Sequence, residues 1–140
     1  MSFKSALQNP YSIPASRLLG IRPENPVIVH PADAKRLGVK TGDAVEIRTP
    51  GGKVEALALV HQGVVEGVVA IEHGFGHREL GARAHRIGRS IQPDRPGLAA
   101  GINLNDLGLQ DPTRSGKSIW VDAISGASVR NGLPAQLVKL

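Results

Sequence analysis

One segment of this 140-residue chain combines backbone freedom with polar side chains. Gly74 and Gly76 allow the backbone to approach a ligand closely, and His77 and Arg78 supply polar groups beside them. The alternative interpretation is a glycine-rich turn carrying a solvated arginine. His73 lies four residues before His77, which is metal-ligand spacing on a helix, but the intervening glycines disfavour a helix. We therefore predict a ligand-binding segment and no metal site.

A second polar segment follows about 25 residues later. Asn103, Asn105 and Asp106 offer amide and carboxylate groups that can read the hydrogen-bonding edge of a heterocyclic ring. Asn and Asp are also common turn formers, so a purely structural role is an alternative. We expect the two segments to form one wall of a shared binding surface.

Basic residues suggest where an anion could bind. Arginine presents a planar fork suited to phosphate, and a cluster follows the first segment. Lys117 lies in a stretch, 111–118, that ends like a phosphate loop, but Asp111 replaces the required first glycine and a predicted strand follows. We therefore predict no nucleotide hydrolysis, and we retain Lys117 as a point charge for a phosphate. The arginines of the cluster are Arg78, Arg83, Arg86, Arg89 and Arg95.

Composition limits the class of protein. The net charge is +5, and 41% of the residues are hydrophobic, which favours a folded domain. The absence of Cys excludes disulfides, thiolate metal sites and iron–sulfur ligands within this chain. No apolar run is long enough to cross a bilayer, and the first ten residues lack the pattern of a secretory signal. We expect no membrane insertion.

The spacing of apolar residues predicts mainly β structure. After an extended, proline-rich lead-in (1–25), Val27–Val29 predicts a strand, and Pro31 begins a short helix that Gly38 ends. Alternation from Val45 to Thr49, the Pro50–Gly52 turn and the run Val54–Val60 predict a hairpin. These short strands favour a small β-barrel over a doubly wound sheet.

The second half of the chain has weaker periodicity. The apolar run Val64–Ile71 predicts a strand broken at Glu66–Gly67. Residues 73–112 predict a long loop with one helical turn near Glu79–Ile87, and Ser118–Ala123 predicts the last strand. The expected organisation is a lead-in (1–25), one domain (26–130) and a C-terminal tail (131–140).

Several runs resemble one known family. The pattern of strand, Pro-led helix, Leu-Gly stop and Gly-Asp turn is similar to the C-terminal molybdopterin-dinucleotide-binding domain of molybdenum oxidoreductases of the DMSO reductase family. Within that family the likeness is greatest to the large subunits of tetrathionate, thiosulfate and polysulfide reductases. The runs that carry it are Asn25–Ile47, Glu72–Gly81, Gly101–Leu107 and Asp111–Pro112.

The resemblance implies a double-psi β-barrel with one or two short helices and long loops. It further implies binding of molybdopterin guanine dinucleotide with molybdenum, the metal ligand lying outside this chain. The implied partners are the remaining domains of a large subunit or a separate catalytic subunit, together with an iron–sulfur electron-transfer subunit. The likeness is compatible with a periplasmic parent enzyme. The implied cofactor-binding residues are Ser16, Arg17, Gly74, Gly76, His77, Arg78, Asn103, Asn105, Asp106 and Lys117.

Two other classes of protein compete with this interpretation. Pyruvoyl-dependent aspartate decarboxylases share the barrel architecture but cleave a Gly-Ser bond, and no glycine here precedes serine. A small DNA-binding β-barrel regulator would explain the positive charge through contacts with phosphates. Only four residues are aromatic, too few for a platform that stacks single strands. The preferred hypothesis therefore involves no nucleic acid.

Overall fold

A six-stranded mixed sheet is the framework of the chain. The computed structural model describes residues 2–3, 24–78, 82–94, 96–111, 119–129 and 131–140. The strands, in spatial order, are β1 (Ser2–Phe3), β5 (Val69–Glu72), β2 (Val27–Val29), β4 (Gly52–Val60), β3 (Ala44–Thr49) and β8 (Gln136–Lys139). The pairs β1–β5 and β2–β4 are parallel, and the others are antiparallel.

The remaining described elements are short. Helix α1 (Pro31–Leu37) follows β2, and helix α2 (Pro96–Ala99) precedes a 3₁₀ helix (Leu104–Leu107). Strands β6 (His85–Ile87) and β7 (Ser90–Gln92) form a separate two-stranded ribbon. No helix among the described residues has the length and hydrophobicity to span a bilayer. The prediction of a mainly β fold is confirmed, whereas the described strands form an open sheet and no closed barrel.

Helix α1 forms as its sequence predicts. Pro31 occupies its first turn, and the side chain of His30 accepts a hydrogen bond from the amide of Ala32 (3.2 Å). Gly38 ends the helix in the left-handed conformation at φ 66°. The buried carboxylate of Asp33 accepts a hydrogen bond from the Gly67 amide (2.6 Å), which ties the helix to the turn before β5.

Alternate side chains of β2 and β3 form the core. Val27, Val29, Val45 and Ile47 are at most 1% exposed because their side chains share the inner face of the sheet. Burial of such aliphatic side chains contributes roughly 1.5–3 kcal/mol each. The other members of the buried cluster come from the helix, the neighbouring strands and the 3₁₀ region: Ala34, Val39, Ala58, Ile71, Ile102 and Leu107.

Three local predictions need correction. His85–Ile87 is a strand and not part of a helical turn. The cause is Gly88, which turns the chain at φ 59° and lets Ser90–Gln92 pair with this strand. The start of the predicted turn, Glu79–Gly81, lies outside the described residues. The run Val64–Ile71 enters the sheet only from Val69, after a turn at Gly67.

The predicted last strand is also different. Ile119 and Val121 form isolated bridges with Gln110 and Ser128, and Ser118 lies outside the described residues. The last strand is instead β8, within the segment expected to be a tail. β8 covers the edge of β3 as an antiparallel partner. The register runs from Val45 opposite Lys139 to Arg48 opposite Gln136.

Asn25 joins three parts of the chain. Its side chain is 2% exposed, and its amide nitrogen donates to the carbonyl oxygens of Glu72 (2.6 Å) and Ile102 (3.1 Å). Its side-chain oxygen accepts from the Ile102 amide (2.6 Å). Glu72 ends β5 and Ile102 precedes the second polar segment. The Asn25 amide therefore sets the distance between the two predicted binding segments.

Replacing this amide tests its structural role. In Asn25→Ala, the Glu72 and Ile102 backbone groups lose buried partners, so we expect the free energy of unfolding to fall by about 2–4 kcal/mol. Asn105→Ala is the control, because the Asn105 side chain is exposed and its loss should change stability by less than about 0.5 kcal/mol. Urea unfolding followed by circular dichroism measures both. Equal stability of the two variants would contradict the role of Asn25.

Paired carboxylates predict how stability depends on pH. Hydrogen bonds from Lys53 and Arg48 hold the pKa of Glu46 below its ordinary value, and a hydrogen bond from Arg36 does the same for the pKa of Asp33. A lowered folded-state pKa stabilises the fold above the ordinary carboxyl range, about pH 4. We expect this stabilisation at neutral pH and its progressive loss as the pH falls below the ordinary carboxyl range and through the lowered folded-state pKa values. Urea unfolding at several pH values should show a shallower acid loss in Glu46→Gln, and an identical slope would contradict the prediction.

Candidate functional site

The two predicted binding segments lie side by side. The amide of Gly76 donates to the Ala100 carbonyl oxygen (2.9 Å), and Gly76 has a φ of 65°. A Cβ at this position would overlap the amide nitrogen of Asn103 and lie 2.7 Å from the Ile102 carbonyl carbon. This contact therefore requires glycine, both for its conformation and for its small size. We call the region formed by residues 74–78 and 101–106 the glycine junction.

A second glycine makes the same junction possible from the other side. Gly101 has a φ of 86°, and a Cβ there would overlap the side-chain oxygen of Asn25 and approach the Cβ of Phe75 to 3.0 Å. Phe75 is 8% exposed. Asn25 and Phe75 thus pack the inner side of the junction, whereas Arg78 and Asn105 are exposed to solvent.

The 3₁₀ helix that carries Asn105 and Asp106 is held by its neighbours. The Asn103 side-chain oxygen accepts from the Asn105 amide (3.1 Å), and the Thr49 hydroxyl donates to the Leu107 carbonyl oxygen (2.8 Å). A Cβ on Gly52 would overlap the carbonyl oxygen of Asp106. The tip of the β3–β4 hairpin therefore fixes the backbone from which Asp106 extends.

Arg78 and Asp106 form an ion pair across the glycine junction. The guanidinium Nη2 lies 2.5 Å from the Asp106 Oδ2. The Arg78 side chain is 56% exposed and that of Asp106 is 26% exposed, so both reach solvent. An exposed pair of this kind adds little stability, but it orients the two polar groups relative to each other.

His77 contributes a polar atom without a partner. The Nε2 of its ring is buried and has no hydrogen bond to any of the described residues. An uncompensated buried polar atom is unfavourable by about 1–3 kcal/mol. Because such atoms are rare, the position of His77 within the junction indicates a place where a ligand could supply the missing partner.

Asn105 lies at the edge of a small apolar cavity. The cavity has a volume of about 70 Å³, far below the roughly 300–1,000 Å³ that encloses a drug-sized ligand. A large ligand at this site would therefore rest on the junction surface and not inside the sheet. Besides Asn105 and Thr49, the cavity wall is mostly aliphatic, with Ile47, Val69, Ile71, Leu104, Leu107, Ile119, Val129 and Leu133.

The junction gathers most of the candidate residues. Seven of the ten lie there: Gly74, Gly76, His77, Arg78, Asn103, Asn105 and Asp106. Ser16, Arg17 and Lys117 lie outside the described residues. Of the remaining arginine cluster, Arg83, Arg86 and Arg89 are exposed on or beside the β6–β7 ribbon, and Arg95 is not described.

Sequence reasoning missed the residues that hold the junction together. Asn25 and Thr49 act through hydrogen bonds to backbone groups 77 and 58 positions away, and no local pattern marks such partners. The only available signal was that Asn25 and Gly101 begin two of the runs that resemble the known family. Metal-ligating clusters of three or more residues are absent from the described part of the chain.

The sequence matches a known protein family over most of its length. Residues 7–117 match the family described as "Molydopterin dinucleotide binding domain". The chain is 46% identical over all 140 residues to a tetrathionate reductase subunit of Salmonella typhimurium, and covers 14% of that protein. It is 33% identical over 113 residues to ArrA, which is the molybdopterin-containing part of the arsenate respiratory reductase of Chrysiogenes arsenatis. That match covers 80% of this chain and 12% of ArrA.

A solved structure shares the fold. Acetylene hydratase from Pelobacter acetylenicus superposes with a TM-score of 0.59 at 18% identity, over 99% of this chain and 21% of that protein. The chain thus corresponds to a small part of each larger protein. Because the family match covers well over half of the sequence, the chain belongs to the molybdopterin-dinucleotide-binding domain family.

Proposed function

We propose that the chain binds molybdopterin guanine dinucleotide, with molybdenum as the metal, on the surface of the glycine junction. The observation that carries this proposal is the contact of Gly76 with Asn103, which gathers the polar groups of two distant segments. Family membership supports the pterin dinucleotide, and the sequence resemblance supports its guanine form. As part of the same proposal, the complete domain adopts the closed double-psi β-barrel that the sequence resemblance implies.

The polar groups present fit such a cofactor. A pterin and a guanine each expose ring N–H groups and a carbonyl oxygen, which match a carboxylate and a guanidinium. Asp106 and Arg78 supply these groups, and the unpartnered Nε2 of His77 lies in the same segment as Arg78. The exposed Asn105 amide adds a donor and an acceptor at the other end of the junction.

The role of the domain in this proposal is positional. Bound cofactor would supply the redox chemistry, while this chain would hydrogen-bond its organic part and exclude water from one side. The metal ligand would come from outside this chain, as the resemblance implies. The chain is therefore not catalytic in isolation.

We further propose that the parent protein is an oxidoreductase that reduces a sulfur oxyanion such as tetrathionate. The support is the 46% identity, along the whole chain, to a protein named as part of tetrathionate reductase. Because the chain covers 14% of that protein, the remaining domains or a separate catalytic subunit would complete the enzyme. An iron–sulfur subunit would deliver electrons.

Nuclear magnetic resonance of the ¹⁵N-labelled chain tests the binding site. Addition of molybdopterin guanine dinucleotide, or of GMP as a fragment, should shift amide signals from residues 74–78 and 101–106. We expect weak binding by the chain alone, since partner domains are missing. His77→Ala should weaken binding of the dinucleotide about fivefold or more by removing one hydrogen-bonding group. Shifts confined to other regions, or strongly salt-dependent DNA binding, would contradict the proposal.

Substituting glycine tests whether the close contact matters. Gly76→Ala introduces a Cβ that overlaps Asn103, so we expect separated segments, loss of detectable dinucleotide binding and destabilisation by more than about 2 kcal/mol. Gly126→Ala is a matched control, because Gly126 has a similar φ of 68° but open space around its Cβ position. The control should lose about 1 kcal/mol and keep its affinity. Thermal unfolding and the same amide shifts measure both variants, and equal losses would contradict the role of the contact.

A further inference from the structure

The ion pair across the glycine junction changes what Arg78 can do. A guanidinium has five N–H donors, and Asp106 engages one of its nitrogens at 2.5 Å. The carboxylate also cancels the charge of Arg78 at close range. A guanidinium whose positive charge is compensated by a neighbouring carboxylate attracts a phosphate weakly. Arg78 is therefore poorly suited to be the main phosphate contact.

The pair is held in a defined orientation. The Asp106 amide donates to the Asn103 carbonyl oxygen (3.0 Å), and Gly52 packs directly on the Asp106 carbonyl group. On the other side, Arg78 follows the tightly packed Gly76 by two residues. Because both backbones are fixed, the carboxylate and guanidinium present free donors beside free acceptors at one place on the surface.

Such a pair has a specific chemical complement. The two oxygens of a carboxylate accept from two adjacent N–H groups, and each oxygen has more than one lone pair, so Oδ2 of Asp106 can still accept beside its bond from Arg78; a guanidinium donates to a neighbouring carbonyl oxygen. The 2-amino-4-oxo-pyrimidine ring has these groups in a row: an amino group, a ring N–H and a carbonyl oxygen. Guanine and pterin share this ring edge, whereas adenine lacks both the ring N–H and the carbonyl oxygen.

We propose that Arg78 and Asp106 act together as a reader of the 2-amino-4-oxo-pyrimidine edge, with Asp106 also positioning Arg78. This inference rests on the proposed function and specifies which chemical part of the cofactor this ion pair selects. It assigns the pair to a ring, guanine or pterin, and leaves phosphate binding to other groups. The specificity comes from Asp106, because only the carboxylate distinguishes a ring that carries the amino group from one that lacks it.

Titrations of the 140-residue chain with nucleotides test the assignment. GMP has the full ring edge, IMP lacks the amino group and AMP lacks the edge altogether. We expect GMP to bind about tenfold more tightly than IMP, the effect of one charge-assisted hydrogen bond. In Asp106→Asn, GMP affinity should fall about tenfold and the GMP-to-IMP ratio should drop to within about twofold. Affinity for inorganic pyrophosphate should stay equal or rise, because Arg78 loses its neutralising partner.

A matched control separates recognition from general loss of an ion pair. Asp43 pairs with Lys139 at 2.6 Å, and its side chain is 27% exposed, close to the 26% of Asp106. Asp43 lines neither segment of the junction. Asp43→Asn should therefore leave the GMP-to-IMP ratio unchanged. Circular dichroism at the titration temperature should show that both variants are folded.

The outcomes distinguish this inference from the proposed function. Two results would overturn the assignment of Arg78 and Asp106 to the ring edge: a ratio of GMP to IMP affinity that is unchanged in Asp106→Asn, or a parallel fall in pyrophosphate affinity. Either result would leave the proposed cofactor binding intact. Absence of any amide shift in the junction with GMP and with neopterin would overturn both. Shifts at residues 78 and 106 with neopterin alone would identify the pterin as the ring that is read, and shifts with GMP alone would identify the guanine.

Discussion

The buried side-chain amide of Asn25 is the interaction on which the arrangement of the site depends. Its three hydrogen bonds, to the backbones of Glu72 and Ile102, connect the end of β5 to the start of the second polar segment. An amide is suited to this role because it donates and accepts at once. With both groups satisfied inside the protein, the two chain segments are held a fixed distance apart.

Glycine turns this fixed distance into direct contact. A Cβ on Gly76 would overlap the backbone of Asn103, and a Cβ on Gly101 would overlap the Asn25 side-chain oxygen, so both close contacts require glycine. Arg78 and Asp106 both reach solvent at this junction and form an ion pair there. The hairpin tip adds a second support through Thr49 and Gly52. The site is thus a surface supported by backbone contacts, and the apolar cavity beside Asn105 is too small to enclose a dinucleotide.

Local rules predicted the first half of the fold well. Pro31 and Gly38 mark the ends of helix α1, and alternation from Val45 onward marks β3, because these signals act within a few residues. The same rules failed between 85 and 92, where Gly88 produces a strand ribbon that apolar spacing does not reveal. They also missed β8, which forms because the edge of β3 supplies its hydrogen bonds.

By itself, the sequence determined the residue types of the site: two glycines that permit close approach, and His, Arg, Asn and Asp groups able to bind a polar ring. It also determined the family, through runs that share one pattern of turns and caps. Only the tertiary structure decided that Arg78 forms an ion pair with Asp106 and that His77 has a buried nitrogen without a partner in the described chain. The physical reason is that hydrogen bonds between residues 28 to 77 positions apart depend on how the sheet folds, which no local spacing records.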